Sequence, residues 1–81
     1  MRLDKFLKVS RIIKRRTVAK EAALKDRVEI NGKIAKPSTH VKENDILTLY
    51  FGLNIIKVKV ISLIQKKDVL MYELLSEEKQ P

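Results

Sequence analysis

The hydrophobic period changes once along this chain, near Asp26, and that change orders its elements. Before it, Leu3, Phe6 and Leu7 stand at i, i+3 and i+4, so at about 100° per residue they share one helical face. After it the apolar residues alternate: Val28 and Ile30 point one way, Arg27 and Glu29 the other. Asn31-Gly32 follows, the dipeptide that most strongly signals a two-residue hairpin, because both of its residues tolerate positive φ. Helices first and strands afterwards is the pattern of an α+β domain.

The first helix is expected from Leu3 to Val9, loosening near Ser10, with Arg2, Lys5 and Lys8 on the side away from the apolar stripe. Ile12 and Ile13 add anchoring. Thr17 is the expected N-cap of a second helix, its hydroxyl accepting an orphan backbone N–H. In that helix Val18, Ala19, Ala22 and Ala23 form the packing arc, and Lys20, Glu21 and Lys25 lie opposite. A return strand over Lys33 to Lys36 ends at Pro37, which lacks a backbone donor, and a polar connection leads to Asp45. Further strands are expected over Ile46 to Phe51, Ile56 to Val60 and Val69 to Leu75, the last entered through Gln65-Lys66-Lys67-Asp68. The expected fold is two short N-terminal helices packed on a small, mostly antiparallel sheet of four to five strands. Phe6, Leu7, Ile13, Val28, Ile30, Ile46, Leu49 and Val58 are the expected core. One domain spans residues 1–75 (a motif core over 1–50, C-terminal strands over 51–75), and 76–81 form a mobile tail.

Eighty-one residues support one core and no second domain. Without cysteine there is no disulfide framework and no thiolate metal site, and the lone His40 cannot build one; no cofactor is expected. No stretch is apolar enough for a signal peptide or a membrane span, so a soluble, cytoplasmic chain is expected, with no membrane role.

The net charge of +8 lies entirely in the first half: residues 1–36 carry twelve Lys or Arg against four acids, and residues 37–81 hold six of each sign. Such a one-sided field attracts polyanions over about 8 Å at physiological salt. Its densest part is Ser10-Arg11-Ile12-Ile13-Lys14-Arg15-Arg16-Thr17, just before a helix. Arginine forks bind phosphate oxygens bidentately, and helix-start N–H groups add partial positive charge. A solvated charge run is the plainer reading of any such segment, but concentration on one half of a small domain favours RNA. Phe6, Phe51, Tyr50 and Tyr72 are too few for a base-stacking platform, so phosphate and shape recognition of folded RNA is expected. His40 reads as an ordinary loop histidine. Asp4 and Glu21 read as partners in ordinary intrahelical ion pairs. No nucleophile with its base, no glycine-rich phosphate loop and no metal cluster is present, which removes the usual footholds for an enzyme.

The runs Arg2-Leu3-Asp4-Lys5-Phe6-Leu7, Ser10-Arg11, Arg16-Thr17-Val18-Ala19, Arg27-Val28, Asn31-Gly32-Lys33 and Val41-Lys42 with Asp45 resemble the S-four RNA-binding domain, with its alpha-L motif, over about residues 1–50. Lys8 to Thr17 followed by Ala19-Lys20-Glu21 is most similar to the RqcP-like family of bacterial ribosome quality control, related to small heat-shock ribosome-binding proteins. This resemblance implies binding to a large ribosomal subunit carrying stalled peptidyl-tRNA, with contacts to large-subunit rRNA and the tRNA, in support of C-terminal alanine tailing. An RqcH-type tailing factor would be the protein partner, and the chain would act as a monomer. The implied RNA contacts are Arg2, Lys5, Lys8, Arg11, Lys14, Arg15, Arg16 and Lys20, with Asn31 and Lys33 secondary. A general role in ribosome assembly or rRNA maturation is the alternative the same motif allows. Asp26 and Asn44 stand where the family commonly has glycine; both residue types tolerate a left-handed backbone.

Overall fold

A computed structural model describes residues 1–79, arranged as α1 (Leu3–Val9), α2 (Arg16–Leu24), β1 (Val28–Ile30), β2 (Lys33–Ile34), β3 (Ile46–Phe51), β4 (Asn54–Val60) and β5 (Tyr72–Lys79). The strands form one sheet in the order β2-β1-β3-β4-β5, with every neighbouring pair antiparallel. The expected α+β architecture is therefore present, with all five strands in a single sheet.

Turn chemistry sets the register. Ile30 pairs with Lys33 across Asn31 (φ 52) and Gly32 (φ 82), the double positive φ that matches strand twist in a two-residue hairpin. Asp26 (φ 59) and Asn44 (φ 72) both adopt left-handed backbone, which Asp and Asn tolerate better than other non-glycine residues.

Leu3, Phe6 and Leu7 from α1, Ala19, Ala22 and Ala23 from α2, and Val28, Leu47, Leu49, Val58 and Val60 from the sheet share one buried cluster. Alanines on α2 let its backbone come close to α1. Val18 does not join them and is 45% exposed, because α2 turns its smaller residues inward. Ile46 also falls outside the core: in a strand alternate residues face one side, and β3 directs Leu47 and Leu49 inward. Ile30 is half-buried at the edge of the cluster.

Several element boundaries differ from expectation: β2 ends at Ile34 rather than Lys36, β4 begins at Asn54 rather than Ile56, and α2 and β5 are shifted. The start of α2 lies at Arg16 with Arg15 as an uncapped N-cap residue, so Thr17 sits inside the first turn and makes no cap. The last strand runs Tyr72–Lys79 rather than Val69 to Leu75, and Ser76–Lys79 are strand and not tail. A strand needs a partner ladder, and β4 supplies one only from Val60, opposite Tyr72, to Asn54, opposite Lys79. Ser76 pairs with Lys57 and Leu74 with Val58, which leaves Leu75 as the extra residue of a bulge. Gln80 and Pro81, the end of the expected tail, lie outside the described residues.

Candidate nucleic-acid interface

The start of α1 is tied down bond by bond. A helix begins with backbone donors that have no internal partner. Here the Leu3 N–H donates to Thr39 O (2.8 Å), the Asp4 N–H to Pro37 O (3.2 Å) and the Lys5 N–H to the Asp4 carboxylate (2.8 Å). Val41 N–H donates to Met1 O (2.8 Å), and Arg2 bridges His40 through the backbone. The polar connection after Pro37 thus fixes the N-terminus, and His40 has a positional role.

Asp4 is only 2% exposed, which is unusual for a carboxylate. Its two oxygens accept from Arg2 Nε and Nη2, both at 3.1 Å, in a bidentate fork. Arg16 Nη2 reaches the same group at 3.5 Å from the first turn of α2. Burial pushes the Asp4 carboxyl up, but hydrogen bonds from Arg2 and the Lys5 N–H and the charges of Arg16 and Arg2 outweigh it, leaving it below its ordinary 3.8. Asp4 is therefore no ordinary intrahelical partner. It joins two helices and holds two arginines whose side chains remain about half exposed. The sequence contains a signal for this: on the α1 wheel Asp4 lies roughly 60° from Leu7, at the border of the apolar stripe. Glu21 behaves as expected, pairing at 2.8 Å with Lys25, the residue that ends α2; that hydrogen bond and the Lys25 charge lower its pKa.

Lys5 and Lys8 are exposed on α1, Lys14 and Arg15 in the interhelical turn, and Lys20 on α2. Among the described residues none of these five, nor Arg11, has a carboxylate within salt-bridge distance. No side chain caps the first turn of α2, where Arg16 sits. Eight implied contacts thus lie on or beside one helix pair and the turn joining it, and two of them, Arg2 and Arg16, are held by Asp4.

Arg11 has φ 67 just beyond the C-terminal end of α1, and its N–H donates to Lys8 O at 3.1 Å. Glycine normally occupies this helix-ending position, because a Cβ there costs about 1–2 kcal/mol. Arg11→Gly should therefore raise stability by about 0.5–1 kcal/mol in urea unfolding while weakening RNA binding several-fold. A parallel loss of both would show Arg11 to be a structural residue.

Asn31 and Lys33 lie apart from the helices, on the β1–β2 hairpin. The Asn31 amide is occupied within the fold: Nδ2 donates to Asp45 Oδ1 (3.0 Å), and Oδ1 accepts the Ile46 N–H (2.9 Å). Asp45 Oδ2 in turn accepts the Lys42 N–H at 2.8 Å. This network pins the hairpin to the entry of β3, which gives Asn31 a structural task; Lys33 is exposed on the edge strand.

A helix pair presenting these cations beside an antiparallel sheet is an arrangement suited to a polyanion such as RNA. Residues 1–47 match the S4 domain family model. The chain is 54% identical over 81 residues to the RQC P-site tRNA stabilizing factor of Streptococcus pneumoniae, covering 95% of this chain and 92% of that protein. The factor of the same name from Bacillus subtilis is 53% identical over 83 residues, covering 98% and 96%. Among solved structures, the trimeric Heat Shock Protein 15 of Vibrio cholerae superposes with a TM-score of 0.81 at 26% identity, covering 94% of this chain and 82% of that one. The chain belongs to the S4-domain proteins and, within them, to the family of RQC P-site tRNA stabilizing factors.

Proposed function

We propose that this chain binds large ribosomal subunits carrying stalled peptidyl-tRNA and holds the tRNA in the P site while the nascent chain receives its C-terminal alanine tail. The observation that carries this reading is the Arg2–Asp4–Arg16 clamp, which places two arginine forks, one beside each helix start, on one rigid support. Asp4 takes the Nε–Nη2 edge of Arg2, and the guanidinium donors left over on both arginines can bond phosphate oxygens, which rRNA and tRNA backbones both present. Lys5, Lys8, Lys14, Arg15 and Lys20 supply further phosphate contacts around the clamp, with Arg11 and Lys33 at its periphery. The names of the relatives support the tRNA as the object held.

The contribution is one of binding and not of chemical catalysis, exerted in the cytoplasm by a single copy of the chain alongside an RqcH-type tailing factor. Among the described residues no helix is long and apolar enough to cross a membrane. Deletion of the chain should abolish alanine-tagged nascent chains while leaving subunit profiles normal. Accumulation of immature large subunits with tagging intact would replace this reading with a role in ribosome assembly.

A further inference from the structure

The clamp leaves unexplained a second basic feature, formed where the end of α1 meets a segment beyond residues 1–47. A cleft of about 630 Å³ lies between the end of α1 and the segment joining β4 to β5, and Arg11, Lys66 and Lys67 are among its lining residues. Val9, Val69 and Leu70 give it an apolar component; Val69 is 50% exposed and Leu70 72%.

We infer that this cleft receives one unstacked nucleotide of the bound RNA, its base against the aliphatic side chains and the Arg11 guanidinium, its phosphate on Lys66 and Lys67. The proposal rests on the RNA-binding reading above and extends it to a part of the chain that the S4 match does not cover. Three cations against one acid, Asp68, favour a polyanion over an apolar protein segment. The concave apolar wall accommodates a base, which a continuous duplex would not offer, and an arginine plane can stack on it. Continuity with the candidate interface is provided by α1 itself. Arg11 lies nine positions after Arg2, a span of about 13 Å at helical rise, so one folded RNA can reach both.

A photoreactive amino acid placed at Leu70 of the full chain, irradiated on large subunits carrying peptidyl-tRNA, should yield an adduct with a single RNA nucleotide. Adducts with ribosomal protein only, or no adduct from a bound chain, overturn the proposal. Independently, Lys66→Glu/Lys67→Glu should weaken subunit binding about tenfold with an unchanged unfolding curve; wild-type affinity overturns it. Failure of the unmodified chain to bind subunits at all would instead refute the function proposed above, which keeps the two failures apart.

Discussion

Asp4→Asn should weaken binding to the large subunit by about tenfold, even though it makes the protein one unit more positive. Simple charge counting expects the reverse. The clamp predicts a loss, because Arg2 and Arg16 would have to be ordered at the moment of binding, at roughly 0.5–1.5 kcal/mol for each immobilised side chain. Stability should fall with affinity, by about 1–2 kcal/mol at neutral pH, a figure reduced to allow for the half-exposed guanidinium groups. The folded carboxyl lies below its ordinary 3.8, so its contribution is present above that value and is lost as pH falls through the folded value. Urea midpoints of wild type and Asp4→Asn should accordingly converge in acid. Equal or tighter subunit binding by Asp4→Asn would show that the arginines need no holding.

Arg16→Glu should abolish co-sedimentation with large subunits, a loss of about a hundredfold. Removing a charged hydrogen bond to phosphate costs roughly 1.5–3 kcal/mol, and an acid in its place adds repulsion from the phosphate. Because that acid would also face buried Asp4, Arg16→Gln is the milder companion, expected to lose about tenfold while remaining folded by its unfolding curve. Retained co-sedimentation of Arg16→Glu would remove the clamp from the interface.

Local pattern carried most of the fold. The Leu3–Phe6–Leu7 stripe placed α1 at its observed limits, and the Asn31-Gly32 pair placed the first hairpin. Where the outcome depended on partners distant in sequence, local pattern misplaced it. Val69, Leu70 and Met71 would serve as strand residues, yet β4 ends at Val60 and offers them no ladder, so β5 starts at Tyr72. The bulge at Leu75 and the inward choice of Leu47 over Ile46 likewise follow from pairing across the sheet. For the candidate interface, the cation identities were plain in the sequence but their support was not. Asp4 reads locally as one acid among lysines, and only the arrival of Arg16 from α2 makes it the joint between two helices. The structural task of Asn31 was equally hidden, because its amide partners, Asp45 and the Ile46 N–H, lie fourteen and fifteen residues further along the chain.

Titration of large-subunit affinity against salt probes most directly whether these cations act as one surface. A chain that neutralises several phosphates together gives a linear plot of log K against log salt, with a slope of about −0.7 to −0.9 for each phosphate. The expected slope is steeper than about −4, shallower by about one unit in Arg2→Ala or Arg16→Ala. A flat plot, or slopes unmoved by either substitution, would contradict a shared cationic face.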